Sequence, residues 1–150
     1  MPSAAAFKRP ESVLVVVHTD DGQVLRLLRR EPAGFWQSVT GSLDPGEPPL
    51  KAALREVREE TGLDPSVGLA DGGIINRYPI HPAWRHKYAP SVQENQEYVF
   101  HLRVPAVCDI SLSAEHSEYR WLPREEAAEL AGSATDRAAI LALLPARPQV

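Results

Sequence analysis

The sequence lacks the features that mark a secreted or membrane-bound protein. It has one cysteine, Cys108, in 150 residues, so no internal disulfide can form. The start, MPSAAAFKRP, has no apolar segment of the signal-peptide type, and no run approaches the roughly 20 apolar residues of a membrane helix. The formal net charge of −4 offers no overall attraction to nucleic acid or to an anionic membrane. We therefore expect a soluble, cytoplasmic protein that binds neither nucleic acid nor membrane.

The residues that are present are ordinary for a globular domain, with 43% hydrophobic and 24% charged. A chain of this length is large enough to bury one sizeable core. We expect a single domain over residues 1–150. The oligomeric state is left open, and a monomer is compatible with the sequence.

Strand and helix patterns are interleaved along the chain. Apolar and β-branched runs predict strands at residues 12–18, 23–30, 35–41, 72–80, 97–104 and 119–122. The turn signal DDG (20–22) predicts that the first two strands form a hairpin. Helical patterns cover residues 49–62, 124–130 and 136–144. The polar, proline-containing stretch 82–96 is predicted to be a loop, and long loops are often functional. This order predicts the α/β class, with a mixed sheet flanked by helices.

The helix predicted at 49–62 carries a cluster of like charge. The segment REVREETG (55–62) places Glu56, Glu59 and Glu60 within two turns, where like charges three or four residues apart repel. At about 100° per residue, these carboxylates fall nearly opposite an apolar stripe that should face the core. That stripe consists of Leu50, Leu54, Val57 and Thr61. A solvated charged face is the ordinary interpretation of such a cluster.

Two features favour a binding site instead. The charges are sorted by sign, and the preceding segment GSLDPGE (41–47) is rich in turn residues that can bring backbone amides and Glu47 to the same patch. Clustered carboxylate oxygens are the ligands that Mg²⁺ prefers, with Mn²⁺ as the alternative. We therefore predict that Glu56 and Glu60 bind one divalent ion.

The segment GSLDPGEPPLKAALREVREETGL (41–63) resembles a complete Nudix box. The motif reads Gly, five residues, Glu, seven residues, Arg-Glu, a hydrophobe, any residue, Glu-Glu, any residue, Gly and a hydrophobe. Its fixed positions are Gly41, Glu47, Arg55, Glu56, Glu59, Glu60 and Gly62. Seven identities at a background of roughly one in sixteen coincide about once in 10⁸ random starts. The resemblance implies the Nudix α/β/α sandwich and metal-dependent hydrolysis of a diphosphate linked to another group.

Segments outside the box resemble the branch of this family that hydrolyses dihydroneopterin triphosphate. They are FKRP, FWQSVTGS, RHKYAP, and EH followed by YRWL. This resemblance implies that water attacks the α-phosphorus and that dihydroneopterin monophosphate and pyrophosphate are released, a step of folate biosynthesis. One alternative is a housecleaning pyrophosphohydrolase of dATP or oxidised nucleotides. Another is a non-catalytic Nudix ligand-sensing domain, against which the complete box argues.

The resemblance also implies roles for single residues. Glu56, Glu60 and Glu115 are expected to bind the metal, although Glu115 could equally be an ordinary loop acid. Glu59 is expected to bind the metal too or to orient the attacking water. It is assigned to catalysis together with Glu47 and Arg55, the latter holding Glu47 and Glu59 in place.

Binding of the small-molecule triphosphate is assigned to Lys8, Arg29, Thr40, Tyr78, Ile80, His81 and Ser133. Lys8 and Arg29 are expected to contact phosphate oxygens, and ordinary surface charge is their alternative. Trp36 and Trp121 are expected in the core. His81, His86 and His116 have no metal-ligand spacing, and each is expected to be solvated.

Overall fold

The computed structural model describes residues 7–145. In that range one sheet contains β1 (Glu11–Thr19), β2 (Gln23–Arg29), β3 (Trp36–Gln37), β4 (Val39–Ser42), β5 (Leu69–Pro79), β6 (Glu94–Val104) and β7 (His116–Pro123). The α-helices are α1 (Pro49–Thr61), α2 (Arg124–Glu129) and α3 (Ala134–Leu143), and a 3-10 helix spans Pro82–Lys87. No helix within residues 7–145 is long and apolar enough to cross a membrane.

The sheet is mixed, as the order of elements predicts. Strands β1 and β6 run parallel, from Glu11 opposite Gln96 to Thr19 opposite Val104. The other pairs are antiparallel: β1 with β2 and β4, β2 with β3 and β7, and β5 with β6. The predicted hairpin is present, because β1 and β2 pair antiparallel across the turn.

Helices cover both faces of the sheet, so the central strand β1 is buried on both sides. Its Val13, Val15 and Val17 belong to the core shared with α1. The alternate residues Leu14 and Val16 belong to the core shared with α2 and α3. Strands covered on both faces have continuous apolar runs rather than alternating ones. The predicted α/β/α sandwich is confirmed.

Two predicted segments differ in the structure. The stretch 82–96 is not one loop, because its first part forms the 3-10 helix and Glu94–Gln96 belong to β6. These polar residues pair with the end of β5, and Asn95 is buried there, so polarity alone was a misleading loop signal. The strand predicted at 35–41 is two short strands, because the chain leaves β2 after Gln37 and joins β1 at Val39.

Helix α1 has the predicted bounds but a different buried face. Gly62 ends it in the left-handed conformation, with φ 74°, and its N–H donates to the carbonyl of Arg58. Leu50 is 53% exposed, so the prediction that it faces the core is wrong. The small side chains of Ala52 and Ala53 are fully buried against the sheet instead. This rotation turns part of the acidic cluster inward.

Candidate active site

Glu60 is buried without a bonding partner. Its side chain is 2% exposed, and neither carboxylate oxygen has a hydrogen-bond partner among the described residues. Burial and then the neighbouring Glu56 raise the pKa of Glu60 well above its ordinary value. The Nε2 atom of His116 lies 3.8 Å from Oε1 of Glu60, but burial lowers the pKa of His116 to about 4. The imidazole is therefore neutral at pH 7 and does not balance the carboxylate.

Glu56 lies one helical turn before Glu60 and shares its buried side. It is 9% exposed, and burial raises its pKa. Gly41, on β4, packs directly against this carboxyl group, so a Cβ atom at position 41 would overlap it. A side chain at position 41 would therefore displace the carboxyl group of Glu56 from this place.

Arg55 links the loop before α1 to the acidic cluster. Its Nε and Nη2 atoms donate to the two carboxylate oxygens of Glu47 at 3.0 and 2.8 Å, which lowers the pKa of Glu47 to about 2. Its Nη1 atom donates to Glu56 at 2.6 Å and to Glu59 at 3.4 Å. The contacts to Glu47 and Glu59 match the expectation, and the shorter contact to Glu56 was not expected. Glu59 itself is 56% exposed.

A divalent cation fits the pair Glu56 and Glu60. Two buried oxygens lack partners, and carboxylate oxygens suit such an ion. Within residues 7–145, no three histidine, cysteine, aspartate or glutamate side chains are placed to hold a metal together. Glu115 lies at the surface on the segment before β7, so it does not complete a triad in this structure. Further ligands would come from water and from substrate phosphates.

A cleft of about 940 Å³ lies beside this pair and is lined by more basic than acidic side chains. Its lining includes Glu56 and Glu115 together with Lys8, Arg29 and Lys87. Partial burial and then the charge of Lys87 lower the pKa of Lys8, although the charge of Glu115 opposes this shift. Cations held close enough to repel one another form a site for a polyanion.

Three contacts hold this basic group in place. The backbone N–H of Lys8 donates to the carbonyl of Lys87 at 2.8 Å, which ties the segment before β1 to the 3-10 helix. Arg29 donates through Nε to the carbonyl of Glu31 at 2.7 Å, and its guanidinium lies 5.2 Å from the ring centre of Trp84. Lys87 had no predicted role, although it lies within the segment RHKYAP.

A second cavity, of about 440 Å³, adjoins the cleft and shares Gln37, Thr40, Tyr78 and Trp84 with it. Its walls are mostly apolar or aromatic, and they include Leu14, Phe35, Pro79, Ile80, Pro82, Trp84 and Ala134. The predicted substrate residues are divided between the two spaces. Lys8, Arg29, Thr40 and Tyr78 line the cleft. Thr40, Tyr78, Ile80, His81 and Ser133 line the second cavity.

Three of these residues also support the fold. The hydroxyl of Thr40 donates to the carbonyl of Val13 at 2.9 Å. Ser133 caps α3 by accepting from the backbone N–H of Asp136 at 3.2 Å. His81 caps the 3-10 helix by accepting from the N–H of Ala83 at 3.0 Å. Their side-chain polar groups are therefore partly used before any ligand binds.

The histidine expectations hold in part. His81 and His86 are exposed, whereas His116 is 1% exposed and bonds to the side chain of Gln37 at 2.9 Å. The expectation of a solvated His116 is wrong because β7 begins at this residue and directs it inward against α1. The core placement of Trp36 is confirmed by its 8% exposure, whereas Trp121 is half-buried and packs against the core on the α1 face.

Sequence patterns did not indicate a buried ion pair on the opposite face of the sheet. Nη2 of Arg26 lies 2.6 Å from Oδ2 of Asp136, and both side chains are at most 1% exposed. Asp136 also accepts from the backbone N–H and the hydroxyl of Ser38 at 2.8 and 2.7 Å. The one available signal was an arginine inside the apolar run QVLRLL.

Residues 8–144 match the NUDIX domain family. The chain belongs to the Nudix family. Dihydroneopterin triphosphate diphosphatase of Escherichia coli (strain K12) is 42% identical over 138 residues, which are 89% of this chain and 91% of that protein. The Haemophilus influenzae protein of the same name is 37% identical over 89% of this chain and 87% of its own length.

Solved structures agree with this assignment. The structure of the E. coli dihydroneopterin triphosphate pyrophosphohydrolase has a TM-score of 0.85 with this chain and covers 90% of it and 94% of its own chain. A MutT protein from Methanosarcina mazei Go1, at 24% identity and a TM-score of 0.67 over 93% of this chain and 94% of its own, shows the shared fold. The predicted family, fold and hydrolase class are confirmed. Nudix hydrolases generally use a divalent metal ion, in agreement with the unpartnered oxygens of Glu60.

Proposed function

We propose that this protein hydrolyses dihydroneopterin triphosphate to dihydroneopterin monophosphate and pyrophosphate, with Mg²⁺ as its metal ion. The observation that carries this proposal is the pair of adjoining cavities. One is lined by the basic group and by Glu56 of the carboxylate pair, and the other has the apolar and aromatic walls that suit a flat ring. The names of the relatives at 42% and 37% identity support this choice of substrate.

In this proposal Glu56 and Glu60 hold the ion. A bound divalent ion neutralises phosphate charge and makes a coordinated water more acidic. Glu59 is the group that can accept the proton of the attacking water, and Arg55 holds it beside Glu47, both of whose oxygens accept from the guanidinium. Glu47 is ionised at any working pH because Arg55 holds its pKa at about 2.

The basic group fixes the triphosphate. Lys8, Arg29 and Lys87 form charge-assisted hydrogen bonds to phosphate oxygens, which hold the chain of phosphates in line for attack at the α-phosphorus. Water adds to that phosphorus, the bond to the bridging oxygen of the β-phosphate breaks, and pyrophosphate leaves. We propose that residues 1–150 form a single domain. The reaction would take place in the cytoplasm as a step of folate biosynthesis, and no nucleic acid would take part.

A substrate panel tests the proposal against the nucleotide alternative. The kcat/KM values for dihydroneopterin triphosphate, dATP, 8-oxo-dGTP and ADP-ribose are compared, and the released phosphate species is identified. We expect the highest value for dihydroneopterin triphosphate and release of pyrophosphate in one step. A higher value for dATP or 8-oxo-dGTP, or release of single phosphates, rejects the proposal. Titration with Mg²⁺ and Mn²⁺ in parallel decides the metal.

A further inference from the structure

A glutamine side chain that none of the roles above uses lies where the two cavities meet. Gln37, on β3, is 4% exposed and lines both the cleft and the second cavity. Thr40, Tyr78 and Trp84 line both spaces as well. The hydroxyl hydrogens of Thr40 and Tyr78 are already donated to protein oxygens. A hydrogen bond to a ligand at this junction therefore needs another side chain, and Gln37 carries an amide.

One end of the Gln37 amide is fixed by a buried histidine. It lies 2.9 Å from Nε2 of His116, whose side chain is fully buried. Nδ1 of His116 has no hydrogen-bond partner among residues 7–145. A buried N–H without an acceptor is costly, so the single hydrogen of the neutral imidazole belongs on Nε2. The end of the amide that faces His116 is therefore its oxygen, which accepts from that N–H.

This arrangement leaves the NH₂ group of Gln37 without a partner. Within residues 7–145 the side chain forms only the bond to His116. Its atoms are not among the unpartnered polar atoms that are sealed from solvent in that range. The NH₂ group therefore reaches the surface of the cavities, where it can donate to an oxygen of a bound molecule.

We propose that Gln37 donates through this NH₂ group to an oxygen of the α-phosphate and that His116 positions it. This inference rests on the proposed function. The α-phosphate is the phosphate nearest to the ring, so a substrate that fills both cavities has this group near their junction. The transition state of phosphoryl transfer carries negative charge on the phosphoryl oxygens, and a donor fixed in advance stabilises it. Nε2 of His116 also lies 3.8 Å from Oε1 of Glu60, so the same imidazole places the donor relative to the carboxylate pair.

The first test compares Gln37→Met with the wild type, because methionine has a similar length and no amide. We expect kcat for dihydroneopterin triphosphate to fall by about 100-fold, the scale of one lost donor to a developing oxyanion, while KM changes little. The rise in melting temperature on addition of Mg²⁺ should persist, because the amide does not hold the ion. Gln37→Glu should lose at least as much kcat, since an oxygen then faces the phosphate. Gln23→Glu, on β2 and outside both cavities, is the matched control and should keep wild-type kcat and KM.

The second test replaces one α-oxygen of dihydroneopterin triphosphate by sulfur, which accepts hydrogen bonds weakly. Wild type and Gln37→Met are compared on the two α-thio diastereomers. For one diastereomer, the loss caused by sulfur should be about 10-fold smaller in Gln37→Met, because the bond that sulfur weakens is already absent.

The role of His116 is tested by combining variants. His116→Leu should lower kcat, and His116→Gln, which keeps an N–H donor, should retain more activity. Adding Gln37→Met to His116→Leu should cause little further loss if His116 acts through Gln37. Losses that multiply in the double variant would overturn the positioning role.

Full turnover by Gln37→Met, or an equal effect of sulfur in both proteins for both diastereomers, would overturn the inference. So would loss of the Mg²⁺-dependent rise in melting temperature in Gln37→Met, which would assign the residue to the metal site or the fold. Failure of the wild type on dihydroneopterin triphosphate would instead reject the proposed function. The same comparison with dATP and its α-thio diastereomers would then decide the role of Gln37.

Discussion

Two groups of charged side chains are buried on opposite faces of the same sheet, and they differ in charge balance. On the face covered by α2 and α3, Arg26 meets Asp136, and Ser38 supplies two further donors to the aspartate. On the face covered by α1, Glu56 and Glu60 lie together, and Arg55 bonds only to the first of them.

The difference separates a structural role from a binding role. A buried ion pair with matched charge tolerates burial because its partners replace water. Nε of Arg26 is the one polar atom of that pair without a partner among the described residues. Neither oxygen of Glu60 has a hydrogen-bond partner among the described residues, and burial raises the pKa values of both Glu56 and Glu60. Unmatched buried charge is what a bound cation would relieve.

The largest expected effect comes from unbalancing the matched pair. Asp136→Asn leaves the charge of Arg26 buried without a counter-charge, and we expect the free energy of unfolding to fall by about 3–5 kcal/mol. Urea unfolding measures this loss. The exposed Asp109→Asn is the control and should change stability by less than about 0.5 kcal/mol. A loss for Asp136→Asn no larger than that of the control would contradict a structural role for the pair.

Removing a charge from the pair Glu56 and Glu60 should lower activity without lowering stability. We expect Glu60→Gln, and likewise Glu56→Gln, to lower kcat by at least about 100-fold, because the charge that holds the ion is lost. Stability measured with a chelator should not fall, and relief of repulsion could raise it by a few tenths of a kcal/mol. Added Mg²⁺ should raise the melting temperature of the wild type more than that of either variant.

The exposed Glu129→Gln serves as the control for these variants and should leave kcat unchanged. Wild-type turnover by Glu60→Gln would show that the unpartnered oxygens do not serve the metal.

The basic group of the cleft should matter most for triphosphates. We expect Lys8→Ala and Arg29→Ala each to lower kcat/KM for dihydroneopterin triphosphate by about 10-fold, the scale of one lost charge-assisted bond. The diphosphate ADP-ribose, which lacks a terminal phosphate, should be affected less. Kinetics on both substrates decide the matter. Equal losses on both would mean that these residues do not discriminate the length of the phosphate chain.

Arg55 tests whether geometry or charge organises the acidic cluster. An ammonium group cannot bond both oxygens of Glu47 and also reach Glu56 in one plane. We therefore expect Arg55→Lys to lower kcat by about 5-fold, the value of a lost hydrogen bond. The pH dependence of kcat should shift as well, because Glu47 loses the fork that keeps it ionised. Full activity in this variant would show that positive charge alone suffices.

The smallest expected effect is a pH-dependent share of stability from Glu47. Its folded-state pKa of about 2 lies below the ordinary 4.5, so its stabilisation is complete above pH 4.5 and is lost as the pH falls toward 2. Because the pair is partly solvated, we expect about 1 kcal/mol in total. Urea unfolding of wild type and Glu47→Gln at pH 5.5 and pH 3 measures it. The stability difference between the two proteins should shrink at the lower pH, and a constant difference would contradict the assignment.

Much of the fold and part of the site could be predicted from local patterns in the sequence. The spacing of the acidic residues, the capping glycine Gly62 and the turn between β1 and β2 each depend on a few neighbouring residues. Such features can be read along the chain because helix and strand periods are short. The bounds of α1, the class of the fold and the motif that places this chain in its family were therefore predicted correctly.

Tertiary structure decided which of these side chains are buried and what they meet. The rotation of α1 depends on how closely Ala52 and Ala53 approach the sheet, and only that contact turns Glu60 inward. Arg26 and Asp136 are 110 residues apart, so no local period links them. Gln37 meets His116 because β2 pairs with both β3 and β7. The residue types were set by the sequence, but the balance of charge around each of them comes from strands and helices distant along the chain.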